Sequence, residues 1–170
     1  MTLFIIIVSV VIVQRLAELI LARRNASKMF LLGAVEHDNK GYKFTVIMHI
    51  SFFIVMVLEF IFLNKSINKL FPYLVVIFLL AQFLRYWAIT TLGVYWNTRI
   101  IVLKGSKPVN SGPYKFLKHP NYIAVVTELA VIPLMFACYF TSIFFTALNL
   151  IVLRRRIKIE TDALLTNLKK

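Results

Sequence analysis

The chain has 170 residues, of which 60% are hydrophobic, and 20 lysines and arginines against seven acidic residues give a net charge of +13. A soluble domain of this length has too little polar surface to cover so much apolar side chain, so the composition excludes an ordinary soluble protein and favours the bilayer as solvent. The basic residues flank long hydrophobic runs, which predicts a role in membrane topology and contact with anionic lipids rather than nucleic acid binding.

Three hydrophobic segments begin the chain, at about 3–21, 44–63 and 71–92. Each is long enough to cross a hydrocarbon core of about 30 Å as a helix. The first has no basic start and is followed by Arg23 and Arg24, so we expect a retained membrane helix rather than a signal peptide.

A polar stretch, 93–118, separates the third segment from a last hydrophobic block, 122–153. The 32 residues of this last block are too many for a helix that crosses the membrane once and few for two such helices. Pro133 and residues 138–142 suggest a break, which predicts a tight hairpin of two helices, the second continuing into the tail. The predicted fold class is all-α, a multi-pass membrane protein with about five transmembrane helices.

The basic residues predict the orientation of these helices. The successive non-membrane segments carry five, two, five and six of them. With five spans, the three rich segments share one side, and the positive-inside rule places the N-terminus outside and the C-terminus in the cytosol. The polar stretch 93–118 then faces the cytosol.

Several ionisable residues lie inside the hydrophobic segments, where each is costly unless it meets a partner or a wet cavity. They are Arg15, Glu18, His49, Glu59, Arg85 and Glu128. Arg15 and Glu18 are three apart and can pair on one helix, and Arg85 can snorkel from the end of its span. Two interpretations stay open, pairing that fixes helix packing and the lining of an active site, for which we favour Arg85 and Glu128. His49 is expected to be a hydrogen-bonded packing residue. The single Cys138 excludes an internal disulfide and a CxxC metal site, and no metal ligands are predicted.

Residues 111–122 are the one place where Gly, Pro, His and Tyr crowd together. Ser111 to Tyr114 form a turn signal, and His119-Pro120 predicts the start of the fourth helix, because proline is well tolerated in a first turn. The N–H groups and partial positive charge of a helix N-terminus suit a carboxylate, such as that of S-adenosylmethionine. A plain connector with interfacial aromatic residues is the alternative.

The same residues resemble a signature of the isoprenylcysteine carboxyl methyltransferases. Gly112-Pro113-Tyr114-x-x-x-Lys118-His119-Pro120-x-Tyr122 is similar to GPY-x-x-x-RHP-x-Y, and Arg156-x-x-x-Glu160-x-x-x-Leu164 resembles R-x-x-x-E-E-x-x-L. The resemblance covers about residues 80–165. Lys118 stands for the usual Arg and Thr161 for the second Glu. The chain's length and the run Arg85-Tyr86-Trp87 … Tyr95-Trp96-Asn97 are similar to small bacterial members, which O-methylate alkylpyrones and are associated with type III polyketide synthases.

The resemblance implies a single membrane-embedded methyltransferase domain, 1–170, that uses S-adenosylmethionine, with three helices in 1–92 and a cofactor-binding catalytic part in 93–170. It implies that Glu160 holds the amino group or the ribose hydroxyls of the cofactor. The predicted catalytic residues are Arg156, Glu160 and Arg85, and the cations Arg85 and Arg156 are expected to steer the anionic oxygen of the substrate. The resemblance also implies cofactor contacts from Val102, Val109, Tyr114, Leu117, His119, Pro120, Tyr122 and Glu160. Arg156 precedes Glu160 by one helical turn, so it can pair with the carboxylate and orient it.

The acceptor stays open within this resemblance. The acidic hydroxyl of an alkylpyrone is the first choice, an isoprenylcysteine carboxylate the second, and phospholipid N-methylation the third. A non-enzymatic membrane adaptor or small transporter is the alternative of another class. The expected partners are a lipophilic small-molecule substrate, membrane lipids and a functional link to a type III polyketide synthase, without nucleic acid.

Overall fold

The computed structural model describes residues 1–106 and 108–168, so the basic residues Lys107, Lys169 and Lys170 lie outside the described residues. In the described part, five α-helices and two short strands follow one another. They are α1 (Thr2–Leu31), β1 (Val35–His37), α2 (Asn39–Phe62), α3 (Phe71–Leu92), β2 (Ile100–Val102), α4 (Pro120–Met135) and α5 (Tyr139–Leu168). The all-α class is confirmed, although the sequence did not predict the strand pair.

Among the described residues, α1, α2 and α3 are long and apolar enough to cross a membrane, and α4 is a shorter apolar helix of 16 residues. These helices expose large apolar side chains, among them Ile5, Val13, Ile54 and Leu80. So much apolar surface would be unfavourable in water, which indicates that these side chains face lipid. The chain is therefore a membrane protein.

The last hydrophobic block folds as the predicted hairpin. Between α4 and α5 the chain reverses at Ala137, whose φ of 53° lies in the left-handed region. Ser142 Oγ donates to Ala130 O at 2.8 Å and so joins the two helices. The break follows Met135, whereas Pro133 lies inside α4. The expected continuation of the second helix into the tail is confirmed, since α5 extends unbroken to Leu168.

The first helix is longer than its hydrophobic segment. Residues 22–31 contain no glycine or proline and several good helix formers, so α1 continues through the charged residues to Leu31. It stops beside Gly33, whose φ of 86° is the left-handed conformation that commonly ends a helix. Arg23, Arg24 and Lys28 are therefore helical residues rather than loop residues.

The chain divides into two compact units. The first comprises Met1–Tyr42, Leu92–Pro108 and Arg156–Lys170, and the second comprises Lys43–Thr91 and Val109–Arg155. In the first unit, β1 and β2 pair antiparallel, with Val35 opposite Val102 and His37 opposite Ile100. The prediction that residues 1–170 act as one domain stays a prediction.

The second unit has an aromatic core. Phe52 on α2 packs edge-on against Phe145 on α5, with ring centroids 5.6 Å apart. Phe60 packs in the same way against Phe136, at 5.9 Å. Rings in this arrangement stabilise a core beyond the area that they bury. These contacts fix α2 against the hairpin within this unit.

Candidate active site

In the first unit, the start of the polar stretch is held against α1. A 3-10 turn, Gly93–Tyr95, follows α3 and leads to Trp96, which is buried. Asn25 Nδ2 on α1 donates to Gly93 O at 3.0 Å and to Trp96 O at 2.8 Å. Asn97 Nδ2 donates in return to Ala22 O at 3.1 Å. Side-chain amides therefore fix the course of this segment.

The segment then enters β2, which carries the predicted cofactor residue Val102. Val102 is buried and lies opposite Val35 in the strand register. Arg99, just before β2, forms an ion pair with Glu36 on β1, with Arg99 Nη1 3.1 Å from Glu36 Oε2. The Arg99 guanidinium also lies 4.9 Å from the centroid of the Tyr42 ring, a cation–π distance. Glu36 and Tyr42, both within residues 1–42, therefore hold Arg99 and the start of β2 in place.

The tail motif lies in the same unit. Arg156 is largely buried, and its Nη2 donates to Thr98 O at 2.7 Å. Glu160 follows one helical turn later on α5 and is partly exposed. The predicted pairing of Arg156 with Glu160, and the catalytic role of each, stay predictions. The observed bond ties α5 to the segment that precedes β2.

The first motif lies in the second unit. Gly112 opens a 3-10 turn, Gly112–Lys115, and has a φ of 52°, which favours glycine. A Cβ at this position would clash with Thr91 Oγ1, so a side chain is excluded by space as well as by dihedral angle. Pro113 is buried and Tyr114 is partly exposed. The predicted turn is confirmed, and it packs closely against the end of α3.

The turn leads to the start of α4, where the remaining motif residues cluster. His119 is the N-cap residue and Pro120 the first helical residue, as predicted. The rings of His119 and Tyr122 stack, with centroids 5.1 Å apart and planes 9° from parallel. Leu117 is exposed. His119 makes no side-chain capping bond here, Pro120 has no N–H, and the N–H groups of Tyr122 and Ile123 donate to His119 O. This helix start therefore offers an anion mainly the positive end of its dipole.

A buried polar cluster lies deeper in the second unit. Arg85 on α3 forms an ion pair with Glu128 on α4, with Arg85 Nη2 2.5 Å from Glu128 Oε2 and Arg85 Nε 2.9 Å from Glu128 Oε1. Gln82 Nε2 donates to the same Oε1 at 3.0 Å. Arg85 is only 2% exposed, so the expectation that it snorkels is wrong, because a carboxylate on the neighbouring helix offers it a partner. The pair is consistent with helix packing and leaves a role in catalysis a prediction.

The other charged residues of the segments also have partners. Arg15 Nη1 lies 2.5 Å from Glu18 Oε2, so the predicted pair on α1 is confirmed. His49 Nδ1 lies 2.8 Å from Thr45 O, one turn earlier on α2, as expected of a hydrogen-bonded packing residue. Glu59 accepts hydrogen bonds from the start of α5.

The structure places the predicted site residues in two sets. The first unit holds Val102, Arg156 and Glu160, and the second holds Arg85, Val109, Tyr114, Leu117, His119, Pro120 and Tyr122. Sequence reasoning missed Gln82 and Asn25. Gln82 is three residues before Arg85 and so shares its helix face, a signal that was present. Asn25 had no such signal, because its partners are backbone carbonyls 68 and 71 residues away.

Comparison with known proteins agrees with these motifs. The model of the isoprenylcysteine carboxyl methyltransferase (ICMT) family matches residues 74–166, which include both motifs. An uncharacterized protein of Bacillus subtilis, YpbQ, is 39% identical over 161 residues, which cover 95% of this chain and 96% of that protein. An uncharacterized protein of Haemophilus influenzae is 24% identical over 151 residues, 88% of each chain. No solved structure matches this chain.

The apolar helices and the two motifs define a membrane methyltransferase of the isoprenylcysteine carboxyl methyltransferase kind. The chain belongs to the ICMT family.

Proposed function

We propose that this protein transfers a methyl group from S-adenosylmethionine to an acidic oxygen of a lipophilic substrate in the membrane. The family match over residues 74–166, which spans both motifs, is the observation that carries this proposal. The N-terminus of α4 and the stacked His119 and Tyr122 rings add chemical support, since they offer the positive end of a helix dipole and aromatic surface within one turn of helix.

The residues present fit this cofactor. The positive dipole end at the start of α4 suits its carboxylate, and aromatic rings attract a cationic centre such as a sulfonium. In the first unit, Glu160 supplies an acceptor for an ammonium group or ribose hydroxyls, and Val102 supplies apolar surface. When bound, S-adenosylmethionine supplies an electrophilic methyl group. The chain's residues hold, orient and desolvate the reactants.

The acceptor needs little activation under this proposal. A carboxylate or the acidic hydroxyl of a pyrone is ionised near neutral pH, so no strong general base is required. Arg156 is proposed to attract the anionic oxygen. The charge of Arg85 is already matched by Glu128, so we expect Arg85 to orient groups by hydrogen bonding more than to attract an anion from a distance.

An alkylpyrone is the proposed acceptor and an isoprenylcysteine carboxylate is the alternative. The first is supported by the likeness of the run Arg85-Tyr86-Trp87 … Tyr95-Trp96-Asn97 to small bacterial enzymes, and the second by the name of the matched family. The first acceptor also implies a functional link to a type III polyketide synthase. The distribution of basic residues supports an N-terminus outside, a C-terminus in the cytosol and cofactor entry from the cytosol.

Cofactor binding by the purified protein tests the proposal. Labelled S-adenosylmethionine is titrated against the protein in lipid nanodiscs, and saturable binding is expected. His119→Ala and Glu160→Ala are expected to raise the Kd about tenfold each, the effect of one lost contact. His49→Ala, outside both motifs, and Asp162→Ala, at an unspecified position of the tail motif, are the controls and are expected to bind normally. Absence of binding by the wild-type protein would refute the proposal and favour an adaptor or transporter.

The acceptor is identified by a second assay. A 4-hydroxy-6-alkyl-2-pyrone and N-acetyl-S-farnesylcysteine are offered in parallel with labelled cofactor, and the methylated products are identified by mass spectrometry. Methylation of the pyrone alone supports the first choice. Methylation of the farnesylcysteine alone replaces it with the alternative, and transfer to neither compound would overturn both assignments.

A further inference from the structure

The segment between α3 and β2 is fixed by residues that the family model does not cover. Asn25 lies on α1, far outside the matched range 74–166. Its amide donates to Gly93 O, the first carbonyl of the turn that leaves α3, and to Trp96 O, the carbonyl of the residue that follows the turn. Gly93 O also accepts the backbone N–H of Trp96 at 3.1 Å. The Asn25 side chain therefore binds both ends of the segment that is closed by the backbone hydrogen bond between Trp96 N–H and Gly93 O.

The bond to Trp96 O is shielded from water, whereas the bond to Gly93 O is only partly buried and Gly93 itself is exposed. Asn25 is 6% exposed and Trp96 is 2% exposed. A buried carbonyl that loses its donor bears the full cost of desolvation, about 1–3 kcal/mol. Gly93 has a φ of 53°. Glycine adopts positive and negative φ about equally readily, so the residue by itself does not select this conformation.

Two further contacts extend the support towards the tail motif and the strand. Asn97 Nδ2 donates to Ala22 O, one turn of α1 before Asn25, while Asn97 Oδ1 accepts the N–H of Arg99 at 3.1 Å. Arg156 donates to Thr98 O from α5. Within the first unit, α1 thus holds Gly93, Trp96 and Asn97, and Arg156 of the tail motif holds Thr98.

We propose that Asn25 is a positioning residue for the site. It sets the path of residues 93–99 and through them the places of Val102, which is assigned to the cofactor, and of Arg156, which is assigned to the acceptor. The inference rests on the proposed function, because Val102 and Arg156 are assigned to the site there. It adds that α1, which precedes the family's matched region, completes the site. Asn97 has a supporting role, because it joins the same segment to α1 through its bond to Ala22 O.

The test compares a substitution that keeps the size of Asn25 and removes the donor with one that keeps the donor and changes the length. Asn25→Asp is isosteric but presents carboxylate oxygens to two carbonyls, and Asn25→Gln keeps an amide on a longer side chain. The Kd for S-adenosylmethionine of the full-length protein in nanodiscs is expected to rise about tenfold or more in Asn25→Asp and to recover partly in Asn25→Gln. Ser27→Ala is the control, since Ser27 is exposed on α1 and bonds within its own helix.

A second variant tests the same contact if Asn25→Asp does not fold. Asn97→Asp loses the donor to Ala22 O but keeps the acceptor for Arg99, and we expect a weaker Kd here too. Thermal unfolding without cofactor is measured for every variant, because a merely structural role would lower the midpoint without changing the Kd of the folded protein. If Asn25→Asp fails to fold, Asn97→Asp decides the question.

The two proposals fail in different ways. If the wild-type protein does not bind S-adenosylmethionine, the proposed function fails and this inference fails with it. If the wild-type protein binds and the folded Asn25→Asp and Asn97→Asp variants bind equally well, the positioning role alone is overturned. A raised Kd with unchanged binding by Ser27→Ala supports it.

Discussion

At the scale of single residues, the ion pair of Arg85 and Glu128 is a buried pair of charges in the second unit. Both side chains are almost completely buried, and Gln82 completes the hydrogen bonding of the carboxylate. Burial of two charges is repaid only when the geometry is good, and loss of one partner leaves the other uncompensated. The pair can therefore serve packing, catalysis or both, and substitution can separate these roles.

We expect Arg85→Met and Glu128→Met each to lower the free energy of unfolding by about 3–5 kcal/mol, because each leaves a buried charge alone. The double substitution is expected to recover most of this loss. Reversible unfolding in mixed micelles measures the effect. Arg15→Met is the control, since it breaks a less buried pair within one helix. A double variant as unstable as the singles would contradict this account of the pair.

The same double variant separates the two roles. If it folds, binds cofactor and methylates acceptor at the wild-type rate, the pair serves packing alone. If it folds and binds cofactor but loses methyl transfer, Arg85 or Glu128 acts in the reaction.

At the scale of elements, the start of α5 is capped by a side chain from α2. Glu59 accepts the backbone N–H of Phe140 at 3.2 Å, the N–H of Thr141 at 2.8 Å and the Thr141 hydroxyl at 2.6 Å. A carboxylate at a helix N-terminus pairs with unsatisfied donors and with the positive end of the dipole. This explains an acidic residue inside an apolar segment without a catalytic role.

Glu59→Gln is expected to lower the free energy of unfolding by about 1–2 kcal/mol, because the amide keeps one acceptor but loses the charge and one oxygen. Thr141→Val removes the hydroxyl bond alone and should cost less. Unfolding curves of the two single variants and the double variant give the coupling. Cofactor affinity is expected to stay at the wild-type value in Glu59→Gln, and a raised Kd would show that the cap also serves the site.

At the scale of the whole molecule, basic residues alternate between rich and poor segments along the chain. Arg23, Arg24 and Lys28 lie on the last turns of α1, whereas the connection between α2 and α3 carries Lys65 and Lys69. An excess of lysine and arginine marks the cytosolic side of a membrane protein. The same rule predicts that the polar stretch 93–118 faces the cytosol.

Cysteine labelling of whole cells tests this orientation. In a Cys138→Ala background, Ser66→Cys is expected to react with a membrane-impermeant maleimide, and Ser27→Cys only after the cells are permeabilised. Both serines are exposed, so the two substitutions are matched. The reverse pattern would invert the topology, and equal labelling in intact cells would contradict the placement of these residues on opposite sides.

Much of the fold and the motifs could be predicted from the sequence. Hydropathy predicted α1, α2 and α3, and length predicted the α4–α5 hairpin. The turn at Gly112 and the helix start at Pro120 follow from residue chemistry that acts locally. The strand pair was missed, because three-residue strands such as Ile100–Val102 are too short to show a period and form only when a distant segment offers its edge.

The sequence by itself determined that this is a membrane protein with two methyltransferase motifs, because hydropathy and motif spacing are properties of neighbouring residues. Only the tertiary structure decided the partners of Arg85, Glu59 and Asn25. Those partners lie 43, 81 and 68 residues away in the chain, and for Asn25 they are backbone carbonyls, which every residue possesses. When the acceptor is a backbone oxygen, the identity of the partner residue gives no signal in the sequence, so the pair is recognised only in the folded structure.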